Sequence, residues 1–272
     1  MPVRVLAIAR AELGRLLSQG FVVAIAACSV LVAVASILFR RSTHAIDIEG
    51  PPSGFSLLLD ATRDASWPLA LAGLMLGALS LSQEFSGRTL ANWLLGPVRR
   101  SEVLLGKAIA LLTLVATLTA ATMAAGALVA YRVASFGPVT LDELVLVERA
   151  SLLRDSTIGL ALFAATIVVW PVVGLAIGAA LRGVAPALTT CSLLFVATAA
   201  MAFGGEDLPF ARGWFALWPL EFLGIARDKA LGISAAYWDS RSVGIGCATA
   251  ALTALVAMTA SLLLFTRAEV RG

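Results

Sequence analysis

Residues 83–107 read QEFSGRTLANWLLGPVRRSEVLLGK, a polar interlude between two long apolar runs. It packs an acid (Glu84), a Gly87-Arg88-Thr89 turn, a short apolar segment, a Gly96-Pro97 stop and the pair Arg99-Arg100 into one loop. Leu90, Trp93 and Leu94 fall at i, i+3, i+4 spacing, which predicts a short helix with one apolar stripe. Gly96 accepts a left-handed cap and Pro97 cannot continue the helix. Glu102 then stands in the first turn of the next helix, where a carboxylate complements the positive end. A stiff helix tied directly to two spans is suited to take force from a soluble partner. A plain interfacial helix explains the same pattern.

Working outward, the composition places the chain in a bilayer. Hydrophobic residues make up 60% of the 272 and charged residues 14%, with a mean hydropathy of +0.93. Soluble domains run nearer a quarter charged. The chain therefore reads as one all-α transmembrane domain over residues 1–272. Its six spans lie at about residues 20–39, 66–82, 104–130, 157–181, 184–203 and 243–265, each near the ~20 residues a crossing needs. None carries a clear mid-span charge. Ser66-Trp67-Pro68 reads as the capped start of the second span. Trp170-Pro171 predicts a kink in the fourth, and Arg182-Gly183 a tight turn into the fifth.

Three pieces outside the spans carry pattern. Residues 3–18 alternate arginines with Val5, Leu6, Ile8, Leu13, Leu16 and Leu17, predicting an amphipathic helix in the membrane interface. Residues 140–154 predict an external surface helix. Residues 204–242 hold Phe210, Trp214, Phe215, Trp218, Phe222, Tyr237 and Trp238, which suits a segment resting in the outer headgroup layer. Basic residues are denser in the short segments on the side of the termini, so both termini are expected in the cytoplasm. The run at residues 20–39 is too long for a cleavable signal.

Other chemistry finds little support. The net charge of +3 is modest, and its arginines sit mostly at span ends, so nucleic acid is not implied. Cys28, Cys191 and Cys247 lie in apolar runs with no CxxC spacing, so neither a disulfide framework nor a metal site is expected. His44 is the single histidine, and no catalytic or cofactor-binding set can be drawn around it. Asp142-Glu143 and Glu206-Asp207 read as solvated acids. Gly73-x-x-x-Gly77 and Gly174-x-x-x-Gly178 permit close helix approach, within one subunit or across a dimer seam. Thr113, Thr117, Thr119 and Thr122 either line a path or bond to their own helix.

The run Glu84-x-x-Gly87-x-Thr89-Leu90, Leu94-Leu95-x-Pro97-x-x-Arg100 and Leu104-Leu105-Gly106-Lys107 resembles the signature loop of ABC-2-type transporter permeases. In this chain Arg88 separates Gly87 from Thr89. Ala11-Glu12-Leu13, Trp218-Pro219-Leu220-Glu221 and the six-span layout extend the likeness along the chain. Within that family the layout is similar both to the group that contains the nitrous oxide reductase maturation permease and to sodium or antibiotic exporters. The resemblance implies a permease subunit, an exporter of a bacterial or archaeal plasma membrane, that pairs with a second copy. It implies separate ATPase subunits at the cytoplasmic face, which bind the ATP and Mg. Membrane lipid and an accessory extracytoplasmic protein are the other partners implied. The coupling residues would be Glu84, Gly87, Arg88, Thr89, Leu90, Trp93, Leu94, Pro97, Arg99, Arg100 and Lys107. The chain has no ATPase site of its own: Gly106-Lys107 is followed by Ala108, and Ser101 stands where a phosphate-binding loop needs its first glycine. The alternative is a secondary carrier or channel without an ATPase, whose usual mark is an ionisable residue at membrane depth.

Overall fold

Apolar helices dominate because a backbone crossing hydrocarbon must satisfy its own hydrogen bonds. The structure, a computed structural model, describes residues 2–44, 53–87, 98–141, 144–204, 214, 216–232 and 238–267. In chain order the elements are α1 (Pro2–Leu17), α2 (Gly20–His44), α3 (Gly54–Ser86), α4 (Arg100–Val133), β1 (Val139–Leu141), β2 (Leu144–Val147), α5 (Arg149–Ile167), α6 (Val169–Leu181), α7 (Val184–Gly204), α8 (Trp218–Ala230) and α9 (Ser240–Arg267). Among the described residues, taking α5 and α6 together, six helices are long and apolar enough to cross a bilayer. The chain is thus a helical, multi-pass membrane protein. Six crossings put α1 and the end of α9 on one face, and the hairpin and α8 on the other.

The second span begins earlier than its hydropathy predicts. Ser53, not Ser66, caps it, its Oγ accepting the Ser56 N–H at 3.1 Å. Ser66 lies inside the helix and donates to the Arg63 carbonyl at 2.6 Å, and Pro68 is interior as well. Asp60, Arg63 and Asp64 make this stretch look like a loop. Two of these charges are neutralised in the fold, Asp60 by Arg227 at 2.7 Å and Arg40 at 3.4 Å, and Asp64 by Arg40 at 3.2 Å. At ~1.5 Å per residue the 33-residue α3 is about 50 Å long. Hydrocarbon is only ~30 Å thick. The ends of α3, with Asp60 at one and Glu84 at the other, extend past the apolar slab.

The kink predicted at Trp170-Pro171 is present as a break at Val168, between α5 and α6. Pro171 has no N–H to offer Ile167, four residues back. The tight turn is present too: Arg182 takes a left-handed backbone (φ 52°) and closes α6 onto the Gly178 carbonyl. The two glycine motifs meet each other inside this subunit. A methyl on Gly77 would strike the Pro171 carbonyl, one on Gly174 that of Leu74, and one on Gly178 that of Ala78. Backbone therefore lies directly on backbone where α3 crosses α6. Trp170, Phe163, Leu74 and Cys191 fill the core beside that crossing.

Two predicted surface pieces take other forms. Residues 139–147 hold an antiparallel β-hairpin with Val139 opposite Val147 and Thr140 opposite Val145, and a helix begins only at Arg149. The Leu-Val-Leu-Val run is a short apolar stretch whose β-branched valines suit a strand. Within residues 204–242, Trp218 and Phe222 are not laid on a lipid surface but buried in the protein. Their rings fill the space at Gly246 of α9, where a Cβ would lie 2.6 Å from each. Of the remaining aromatics there, Phe210, Phe215 and Tyr237, like the acid pairs 142–143 and 206–207, fall outside the described residues. In α4, Thr117 and Thr122 donate to the carbonyls of Thr113 and Leu118. Those two hydroxyls thus serve their own helix, whereas Thr119 is buried without a hydrogen-bond partner.

Candidate functional site: the root of the 88–97 loop

Residues 88–97 join α3 to α4, and the ends of both helices are fixed by their own sequence. Gly87 closes α3 by donating its N–H to Gln83 at 2.8 Å. At the start of α4, Glu102 accepts the Arg99 N–H at 3.0 Å and caps the helix, as its place in the first turn predicts. Arg100 extends sideways to the last turn of α9 and donates to the Thr266 carbonyl at 2.9 Å. A cation there is matched to the negative end of a helix. Phe85 meets Phe265 edge-on with centroids 6.0 Å apart, and the Arg182 guanidinium sits 5.9 Å from the Phe85 centroid. The root of the loop therefore touches the end of α9 and the α6–α7 turn.

The centre of the site is Lys107, 1% exposed. Its ammonium lies 2.8 Å from Glu84 of α3 and 2.9 Å from Glu12 of α1. Ser80 donates to the same Glu12 oxygen at 3.0 Å, and Arg15 grips Glu12 with two nitrogens at 2.6 and 3.0 Å. Two carboxylates thus face one ammonium and one guanidinium, so the buried group is neutral as a whole. Burial pushes the Glu12 carboxyl up, but the Arg15 hydrogen bond and the Lys107 charge outweigh it and hold it below its usual 4.5. One Glu84 oxygen has no hydrogen-bond partner, which leaves an acceptor at the root of the loop unused.

Gly106 explains how α1 reaches this lysine. Ile8 and Val5 lie against it, and a Cβ at Gly106 would be 2.7 Å from the Ile8 Cγ2. Gly106 admits the helix and Lys107, one residue on, holds it. Val5, Ile8, Glu12 and Leu16 form the buried face of α1, while Val3, Leu6, Arg10 and Leu17 point outward.

Of the residues expected to couple to a partner, the structure therefore brings Glu84 and Lys107 into one buried pair. It places Gly87 and Arg100 at helix ends and leaves Arg99 exposed. Arg88, Thr89, Leu90, Trp93, Leu94 and Pro97 lie outside the described residues. Glu12, Arg15, Ser80 and Gln83, whose Oε1 is 3.4 Å from Arg15, are additions that sequence reasoning missed. A signal existed for Glu12: on a helical wheel it shares the face of Val5, Ile8 and Leu16 rather than that of the arginines. Among the described residues, no three His, Cys, Asp or Glu side chains gather to hold a metal. No family model matches the chain, and no curated protein matches it.

Proposed function

We propose that this chain is the membrane-spanning permease subunit of an ATP-binding cassette transporter of the ABC-2 type, acting as an exporter. Its 88–97 loop receives a separate ATPase at the cytoplasmic face, and the subunit works beside a second copy of itself. One observation supports this reading best. Three separate stretches of the family-like pattern, Ala11-Glu12-Leu13, Glu84 and Gly106-Lys107, converge on one buried ion-pair group at the root of the loop. A force on the loop would there reach α1, α3, α4 and α9 together. Residues Arg88, Thr89, Leu90, Trp93, Leu94, Pro97 and Arg99 are then the contact set, while Glu84, Arg100 and Lys107 position it.

Purification in mild detergent together with the ATPase encoded beside it tests the reading. The expected result is a retained complex whose ATPase activity responds to the permease and is lost when Trp93 and Leu94 are changed to Ala. Trp93→Cys that is labelled only from the external face would refute it, because no cytoplasmic motor could touch that residue. A secondary carrier draws some support from the charges at Asp60, Glu84 and Lys107. Each of these faces an internal partner of opposite charge, with one Glu84 oxygen left over as an unused acceptor.

A further inference from the structure

The face opposite the loop carries a second ionic group, and α3 belongs to both. Asp60, buried near the start of α3, binds Arg227 of α8 at 2.7 Å and Arg40 of α2 at 3.4 Å. Two residues beyond Arg227, Lys229 binds the buried Asp155 of α5 at 3.0 Å, and the Trp238 indole N–H reaches the same acid at 3.1 Å. The Ser53 hydroxyl lies 3.5 Å from the Ala230 carbonyl, where α8 ends. The last turn of α8 is thus held to α3 and α5 by its own two cations.

We propose that α3 transmits displacement across the bilayer, with Glu84 as its input end and Asp60 as the latch that holds α8 at its output end. This rests on the reading above only for what pushes on Glu84. Asp60 and Glu84 are 24 positions apart in the sequence. On one helix that is about 36 Å, by the ~1.5 Å rise per residue. Between them, α3 lies backbone against backbone on α6 at Gly77, Gly174 and Gly178, with no room for a methyl. Such a crossing has little slack to absorb a shift. Pro68 removes the helical bond to the Asp64 carbonyl, so bending collects in the turn just below the latch. Asp64 also shares Arg40 with Asp60, so a tilt there disturbs both acids at once. The Arg227 Nε lies 2.7 Å from Asp60 without making a hydrogen bond, so the latch is a charge pair that weakens as it lengthens. The two-state element is α8, held or released, and both ends of α3 bias it.

Thiol labelling tests this without any ATPase. Ala230, 2% exposed in the last turn of α8, is changed to Cys in a chain whose Cys28, Cys191 and Cys247 are Ala, and its reaction with a maleimide is timed in lipid nanodiscs. Asp60→Asn should accelerate labelling about fivefold, the change that about 1 kcal/mol of released latch gives through the opening equilibrium. Glu84→Gln keeps size and leaves Lys107 paired with Glu12, so the chain folds, yet labelling on the opposite face should still rise several-fold. Ser80→Ala, which removes a hydrogen bond but no charge, should act in the same direction and more weakly. An unchanged rate in both Glu84→Gln and Ser80→Ala, with Asp60→Asn fast, would show that α3 does not transmit. An unchanged rate in Asp60→Asn would show that Asp60 holds nothing. Acceleration by Glu84→Gln in a chain that retains no ATPase would uphold α3 as the transmitter and refute the transport reading instead.

Discussion

The two ionic groups on α3 are opposites in design. At the loop root one cation, Lys107, is shared by two acids, and all three side chains are nearly inaccessible, at 1%, 4% and 7% exposure. At the far end one acid, Asp60, is shared by two arginines that each remain 31% exposed. A dry group is costly to break, because whichever partner remains is a buried, unpaired charge. At the far end the cations already meet water and are solvated as they let go, so that only Asp60, 8% exposed, is left to be neutralised or hydrated. The same helix thus ends in a fixed joint beside the loop and in a releasable one beneath α8.

That contrast can be broken or sharpened by measurement. The largest effect is expected for Lys107→Met, which strands the buried Glu84 and leaves Glu12 with Arg15 and Ser80 alone. It should cost about 3–5 kcal/mol, read as a collapse of thermal stability and yield in detergent. Gly174→Val should come next, since its side chain meets the Leu74 carbonyl directly and α3 must part from α6. Overpacking of this kind costs about 1–3 kcal/mol or more. Asp60→Asn should cost only about 1 kcal/mol, so a loss as large as that of Lys107→Met would erase the distinction between the groups.

Acid should act on the loop root through Glu12. Its carboxyl is held below 4.5 in the fold, so the stability it contributes is fully present above that value and lost as pH falls through the lower folded one. Melting temperature should therefore drop below about pH 4.5 in the parent chain, and Glu12→Gln should flatten that limb while lowering the plateau. The smallest effect is expected from salt. Raising ionic strength to about 1 M shortens screening to ~3 Å, which should speed labelling at Ala230→Cys and leave the Lys107 group untouched.

Much of this could be read from local pattern, for reasons visible at particular residues. Pro171 removes a hydrogen bond wherever its helix lies, so the break beside it was predictable. Arg182-Gly183 had to turn because too few residues separate two apolar runs. The start of the second span was missed for the opposite reason. Asp60 and Asp64 look soluble until Arg40 and Arg227, from elsewhere in the chain, cancel them. The hairpin was missed because Leu and Val at residues 144–147 also fit a helical spacing, and only their pairing with residues 139–141 fixes a strand.

By itself, the sequence determined the membrane setting, the six crossings, the kink and the turn, because each follows from hydropathy or backbone chemistry summed over neighbouring residues. The tertiary structure alone decided that Glu12, Glu84 and Lys107 are one group, that the two glycine motifs face each other, and that α8 is pinned to α3 and α5. Glu12 and Lys107 are 95 residues apart. Whether they meet depends on the rotation and depth of three separate helices, and a Cβ at Gly106 would be enough to keep them apart.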